Sequence, residues 1–354
     1  MYRKTAIIMA LLLLLSALSI PALAAEPGPI RVVVTSFPLF DWTRQVLGER
    51  GEAVSLHLLQ DAGIDLHNFQ PTVEDMVQVS SADVFIYIGG PSDRWVADAL
   101  KEAVNPRQIP LNLMDALGDH VKQDLTVEGM QESDHHHDHD HDHDDDHDHD
   151  HHDHEHDEDH DHDHDHEDAP PVARVHNHAD EHIWLSLRNA QVLVAAIRDA
   201  LMEADPDHRE TYTANAAAYI EQLKNLDAQY SQLLDSKDQK VLLFGDRFPF
   251  RYLMDDYGIT YYAAFAGCSA ETEASFETIA FLSGKVDSLS LKVVMKLDGS
   301  DGRIADAVVR TTDSRSQAVM TLNAMQSVSR EDIENGVSYL AIMEDNLAVL
   351  DQAL

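Results

Sequence analysis

Short apolar runs rich in β-branched residues alternate with amphipathic stretches along most of this 354-residue chain. In the first half the runs at 30–35, 54–59, 84–88 and 109–113 read as strands. Between them, the segments at 39–47, 72–79 and 94–103 carry apolar residues at helical spacing. Such alternation predicts βα units around a largely parallel sheet. Thr72, following Pro71 and preceding Glu74 and Asp75, marks a helix start, because acids in a first turn complement the helix dipole. The second half repeats the plan, with strands expected at 241–244, 259–265, 293–297 and 318–322 and helices at 250–257, 273–286, 302–309 and 330–353. No short sequence repeat relates the halves, so any likeness between them is architectural.

The stretch 184–234 lies between these halves. It is rich in Ala, Leu, Glu and Gln, with apolar residues at helical spacing and one break at Asp205-Pro206. It reads either as a backbone helix holding two lobes at a nearly fixed distance or as an ordinary pair of packed helices within one domain. The fold class expected is α/β: two lobes, each a mostly parallel sheet flanked by helices, joined by a long rigid backbone helix. The first lobe is expected at 25–133, its end and the linking helix at 169–240, and the second lobe at 241–354.

One segment fits neither pattern. All 35 residues from Asp134 to Asp168 are His, Asp or Glu, and this tract holds 16 of the chain's 23 histidines. With no apolar side chain to bury it cannot offset its own ordering entropy, so it is expected to be a disordered loop between 133 and 169. Imidazole at nearly every second position goes beyond what a solubilising acidic linker needs. It suits the collection of zinc-like cations by many weak sites: His135, His136, His137, His139, His141, His143, His147, His149, His151, His152, His154, His156, His160, His162, His164 and His166. An insertion of this length costs little, because loop-closure entropy grows slowly.

The net charge of -39 stays near -20 when the tract's 19 acids are set aside. Such a chain attracts cations and disfavours nucleic acid. Residues 1–24 read as a secretory signal peptide: Arg3 and Lys4 precede an apolar run, and Ala22-Leu23-Ala24 gives a small-x-small cleavage pattern. No cysteine follows that pattern, so no lipid anchor is expected, and the compartment expected is a bacterial periplasm. Cys268 is the single cysteine, which excludes an intramolecular disulfide. It could be a metal ligand, although its Ala-rich surroundings favour a packed residue.

Outside the tract, His67 and His182 stand in contexts suited to coordination. His67 lies after an expected strand and before a helix, the edge of an α/β sheet where ligands bind. His182, in Asp180-Glu181-His182-Ile183-Trp184, stands at the entrance to the long helix. Asp246, at the end of another expected strand, is a third candidate, although taken alone it reads rather as a helix N-cap or an ion-pair partner of Arg247. Two imidazoles and one carboxylate also describe a catalytic zinc site, yet no neighbouring residue has the context of a general base.

The segments Gly63 to Pro71, Asp83 to Gly90, Asp180 to Ala190, Gly245 to Tyr257 and Gly267 to Glu273, together with the acidic His-rich insertion, resemble the periplasmic zinc-binding proteins of zinc ABC importers. The resemblance runs over essentially the whole mature chain. It implies a monomeric solute-binding protein that captures Zn2+ in an interlobe cleft and passes it to an inner-membrane permease driven by a cytoplasmic ATPase, with no chemistry performed on the metal. It implies His67 and His182 as ligands and matches Asp246 to a position where relatives have a third histidine. Asn323 falls at a fourth position and Asp298 at a strand end, either as ligand or as support. An oxygen at 246 moves selectivity towards Mn2+, and the imidazole-rich tract moves it back towards zinc. The alternatives implied are a periplasmic zinc buffer or chaperone working through the tract, or a manganese importer. Leu66 stands where many relatives have proline.

Overall fold

The computed structural model describes residues 29–131, 174–267, 269 and 273–354, and of residues 174–178 the backbone only. The signal segment, the His-rich tract and Cys268 lie outside the described residues, as do the side chains of His176 and His178.

The first lobe is built from β1 (Arg31–Val34), α1 (Phe37–Leu47), β2 (Ser55–Leu58), α2 (Val73–Ser81), β3 (Val84–Tyr87), α3 (Val96–Lys101), β4 (Ile109–Asn112) and the short α4 (Leu113–Leu117). Its sheet is parallel with order β2-β1-β3-β4. Strand side chains alternate between faces, so Val32 and Val34 enter the main core while Val33 joins Leu59, Phe85, Val79 and Val96 on the opposite side. α2 begins where Thr72 predicted it: the Thr72 hydroxyl accepts from Asp75 N, and the Asp75 carboxylate accepts from Thr72 N at 2.7 Å.

An antiparallel ribbon follows, β5 (Gln123–Thr126) with β6 (Arg174–Ala179). The sequence pattern did not predict it, because two short polar strands on either side of the tract carry almost no apolar signal. Before the tract the described chain runs on from β5 to Gln131, which bridges to Phe265, and it resumes after the tract at Arg174 in β6. Two helices come next, α5 (Leu187–Ala204) and α6 (Arg209–Asp235), broken at Asp205-Pro206 as expected. The Asp205 carboxylate accepts from Tyr212 Oη at 2.7 Å and His208 Nδ1 at 2.8 Å, which fixes the corner. α6 spans about 40 Å at 1.5 Å per residue. Its buried residues Tyr212, Ala216, Tyr219, Leu223, Leu226, Tyr230 and Leu234 recur every three or four positions, a narrow stripe down one side.

The second lobe holds β7 (Val241–Phe248), α7 (Arg251–Tyr257), β8 (Thr260–Ala266), α8 (Phe276–Ser288), β9 (Val293–Leu297), α9 (Arg303–Thr311), β10 (Ala318–Leu322), α10 (Arg330–Glu334) and α11 (Tyr339–Ala353). Its parallel sheet runs β10-β9-β7-β8. Numbered within each lobe, both sheets have the order 2-1-3-4, which is the architectural likeness the sequence suggested. The helix expected over 330–353 is two helices. Gly336, at φ 90°, turns the chain after α10, and Ser338 caps α11 by accepting from Ala341 N. One hydrophobic cluster runs through Val34, Trp42, Trp184, Tyr212, Tyr230, Phe244, Met295 and Tyr339, so the helix pair and both sheets share a core. No helix among the described residues is long and apolar enough to cross a membrane.

Candidate metal centre between the lobes

In both sheets the loops at the carboxyl ends of the strands face a common cleft, the usual ligand-binding edge of a parallel sheet. The cavity there measures about 610 Å³ and is lined by Asp65, His67, Asn68, Asp246, Arg247, Asp298, Ser327 and neighbours. A larger hollow of about 1020 Å³, beside Arg31, Asp83 and Arg107, contains no histidine.

His67 sits in a single 3-10 turn, Leu66–Asn68. Leu66 is buried and anchors the turn, while Asp65 accepts from His67 N at 3.0 Å. His67 Nδ1 lies 3.0 Å from Glu181 Oε1 and 3.1 Å from Ser92 Oγ. Glu181, fully buried, also accepts from Ser92 N at 2.8 Å and Ser92 Oγ at 2.7 Å. Burial by itself would raise the Glu181 pKa, but its bond to His67, the nearby His182 and His67 rings and the Ser92 N–H bring it down to about 2. Gly90 makes this approach possible, since a Cβ there would stand 2.3 Å from Glu181 Cβ.

His182 is 1% exposed and its Nδ1 lies 2.7 Å from Asp180 Oδ1, which also accepts from His182 N. Asp180 is held in turn: its N–H donates to Lys122 O at 2.8 Å and its carbonyl accepts from Tyr252 Oη at 2.9 Å. Burial lowers the His182 pKa, and the facing Asp180 carboxylate, helped by Glu181, more than reverses this, so the net direction is up. Gly267 closes over the ring; a Cβ there would meet His182 Cε1 at 2.9 Å and Phe248 O at 2.8 Å.

The result is two imidazoles from distant parts of the chain with Nε2 atoms 3.3 Å apart. Each Nδ1 faces a carboxylate, which places the protons on Nδ1 and leaves both Nε2 lone pairs free to accept. Gln326 Nε2 lies 3.0 Å from each of them, so one amide NH2 donates to both rings. Sequence reasoning did not single out Gln326. A glutamine after the last strand carries no motif, and only the turn of the chain at Met325 brings it to the histidines.

The other candidates are each held by backbone N–H groups. Asp246, buried on β7, lines the same cavity; its Oδ1 accepts from Arg247 N at 2.9 Å and its Oδ2 from Leu297 N at 3.2 Å. Arg247 pairs with Asp65 across the cleft at 2.6 Å rather than with Asp246. Asn323 Oδ1 accepts from Met325 N at 2.8 Å and Asp298 Oδ1 from Ala324 N at 2.7 Å, so both engage the backbone leading to Gln326. Burial raises the Asp298 pKa, with Ala324 N–H opposing. Among the described residues no three His, Cys, Asp or Glu side chains are gathered closely enough to hold an ion as they stand.

The family described as ZnuA, zinc-uptake complex component A periplasmic, matches residues 32–353. Zinc-binding protein AdcA of Streptococcus pyogenes is 27% identical over 324 residues, covering 91% of this chain and 56% of its own length. The high-affinity zinc uptake system protein ZnuA of Bacillus subtilis is 26% identical over 326 residues, with 92% and 88% covered. The chain thus spans about half the length of the AdcA relatives it matches. The crystal structure of the Zn(II)-bound ZnuA-like domain of Streptococcus pneumoniae AdcA is similar at a TM-score of 0.64 and 26% identity, over 92% of this chain and 99% of that one. The metal-dependent lipoprotein YcdH of Bacillus subtilis shares the fold at a TM-score of 0.67 and 23% identity, over 92% and 99%.

Proposed function

The chain belongs to the ZnuA family of periplasmic components of zinc-uptake complexes, and from that membership we propose that it captures Zn2+ between its lobes and delivers it to an ABC permease with a cytoplasmic ATPase. It works in the periplasm after export through residues 1–24 and performs no reaction on its cargo.

One observation carries this reading: the 3.3 Å between the Nε2 atoms of His67 and His182. Two imidazole ligands at about 2.05 Å from a tetrahedral zinc stand about 3.3 Å apart. The carboxylates at both Nδ1 atoms are the usual supports of zinc-bound histidines, fixing tautomer and ring orientation. Asp246 is the third ligand in this proposal, an oxygen from the second lobe that joins the ion when the cleft closes, with water completing the shell. Asn323 and Asp298 support the site by shaping the turn before Gln326. The tract gathers cations for the cleft through many weak sites.

The test is zinc titration of the protein with residues 134–168 deleted, against a chelator of known affinity. One submicromolar equivalent that disappears in His67→Ala and His182→Ala is expected. Loss of all tight binding with the tract would instead make the chain a zinc buffer, and equal or tighter binding of manganese would make it a manganese carrier.

A further inference from the structure

We propose that the side-chain amide of Gln326 is a built-in competitor for the cargo cation, held over the Nε2 lone pairs of His67 and His182 and exchanged for the ion when it binds. This rests on the reading of these histidines as ligands and adds a residue that sets how tightly they hold.

The exclusion is geometric. The amide nitrogen is 3.0 Å from each Nε2, and these are 3.3 Å from each other. A cation at about 2.05 Å from both, on the side where the lone pairs converge, would lie about 1.3 Å from that nitrogen. No unbonded pair tolerates such a distance, so amide and ion cannot occupy the site together. The NH2 group is also the wrong kind of ligand: its lone pair is delocalised into the carbonyl, and its two hydrogens point at the acceptors the ion needs.

The aim of Gln326 is fixed by its own stretch of chain. Met325, 2% exposed, holds φ 60°, a left-handed conformation that a side chain of its size rarely adopts. Hydrogen bonds impose it: Met325 N donates to Asn323 Oδ1 at 2.8 Å, Ala324 N to Asp298 Oδ1 at 2.7 Å, and Trp184 Nε1 to Ala324 O at 2.9 Å. Asn346 clasps both the N–H and the carbonyl of Asn323, at 2.9 and 2.8 Å. The consequence of this strained, heavily bonded turn is that Gln326, itself 7% exposed, points at the histidine pair. Rotation of the one side chain clears the site without disturbing the turn. An ion therefore enters in exchange for two hydrogen bonds, and the amide is at hand to take back the lone pairs when the ion leaves.

The experiment compares the full chain with Gln326→Ala, titrated with Zn2+ against a chelator, and follows thermal melting with and without saturating zinc. Both proteins carry the tract, so its contribution cancels. Two hydrogen bonds of ordinary net strength predict about 5- to 100-fold tighter binding in the variant. Without zinc the variant should melt below the parent, and with zinc the two should coincide. Unchanged affinity overturns the proposal, as does weaker affinity with a lowered melting point in zinc, which would make Gln326 a ligand through Oε1. Gln326→Ser, too short to reach the rings, repeats the test should the alanine variant not fold. If His67→Ala/His182→Ala matches the parent in the same titration, the zinc-site reading itself fails, an outcome separable from the others.

Discussion

Glu181→Gln leaves the shape of the site almost unaltered and changes only where protons can sit, so it is a sharp probe of how His67 is prepared. The carboxylate takes hydrogen bonds from Ser92 N, Ser92 Oγ and His67 Nδ1 on its two oxygens. A glutamine can offer one oxygen and must turn NH2 towards the others. With its oxygen on Ser92 N, the amide faces His67 Nδ1, and the ring proton moves to Nε2, the atom proposed to hold the metal. Loss of such a support weakens metal binding about 10- to 100-fold, or about 1.4 to 2.7 kcal/mol. Stability suffers too. A buried carboxyl held at about 2 instead of its ordinary 4.5 has its ionised form favoured by an upper bound of about 3 kcal/mol. Part of that comes from protonated histidines, so a loss of about 1 to 2 kcal/mol is expected at neutral pH. Chelator competition gives the affinity, urea unfolding the stability, and nitrogen-15 NMR of the imidazoles the tautomer. Zinc affinity within twofold of the parent, with the His67 proton still on Nδ1, would refute the assignment of Glu181 as the residue that orients His67.

Other expectations concern pH, the lobe contact and the fit around His182. Because the Glu181 folded-state pKa is depressed, its contribution to stability is present above about 4.5 and fades as pH falls towards about 2. Asp93 behaves oppositely: burial raises it to about 6, so ionising it costs stability as pH rises from about 4 through 6. Asp93→Asn, which keeps an acceptor for Ile88 N and Gly89 N, should abolish that part of the pH dependence and stabilise the protein at pH 7.5 by about 1 kcal/mol; urea unfolding at pH 5 and 7.5 checks it. The raised His182 pKa predicts that protons compete with zinc close to neutrality, so affinity should drop on going from pH 7.5 to 6; a flat titration across that range would contradict it. Arg247→Met removes the bridge to Asp65 and should speed amide exchange at 62–68 while costing about 1 kcal/mol. Gly267→Ala pushes the His182 ring out of place and should weaken zinc binding about 10-fold or more with the fold intact; binding equal to the parent would show that the ring adapts.

Much of the architecture was legible because burial leaves a periodic mark. The eight strands of the two sheets and most helices stand within a few residues of where alternating apolar runs put them, and Thr72 and Asp205-Pro206 marked boundaries through local chemistry that works the same in any fold. The ribbon β5–β6 left no such mark, and the break at Gly336 was hidden by apolar residues that continue at helical spacing beyond it.

The sequence by itself determined the class of the protein: two α/β lobes, linking helices, a His- and Asp-rich insertion, and His67 and His182 as the residues to watch. Local pattern and composition suffice for these, since each is written in neighbouring residues. Tertiary structure alone decided how the histidines meet, 115 positions apart in the chain yet 3.3 Å apart at Nε2. It also decided that Glu181 and Asp180 fix their protons, that Arg247 reaches Asp65, and that Gln326 rather than Asn323 points at the rings. Those pairings depend on which strand ends the fold brings to one edge and on a single left-handed residue, Met325, and distances of that kind have no counterpart in the order of residues.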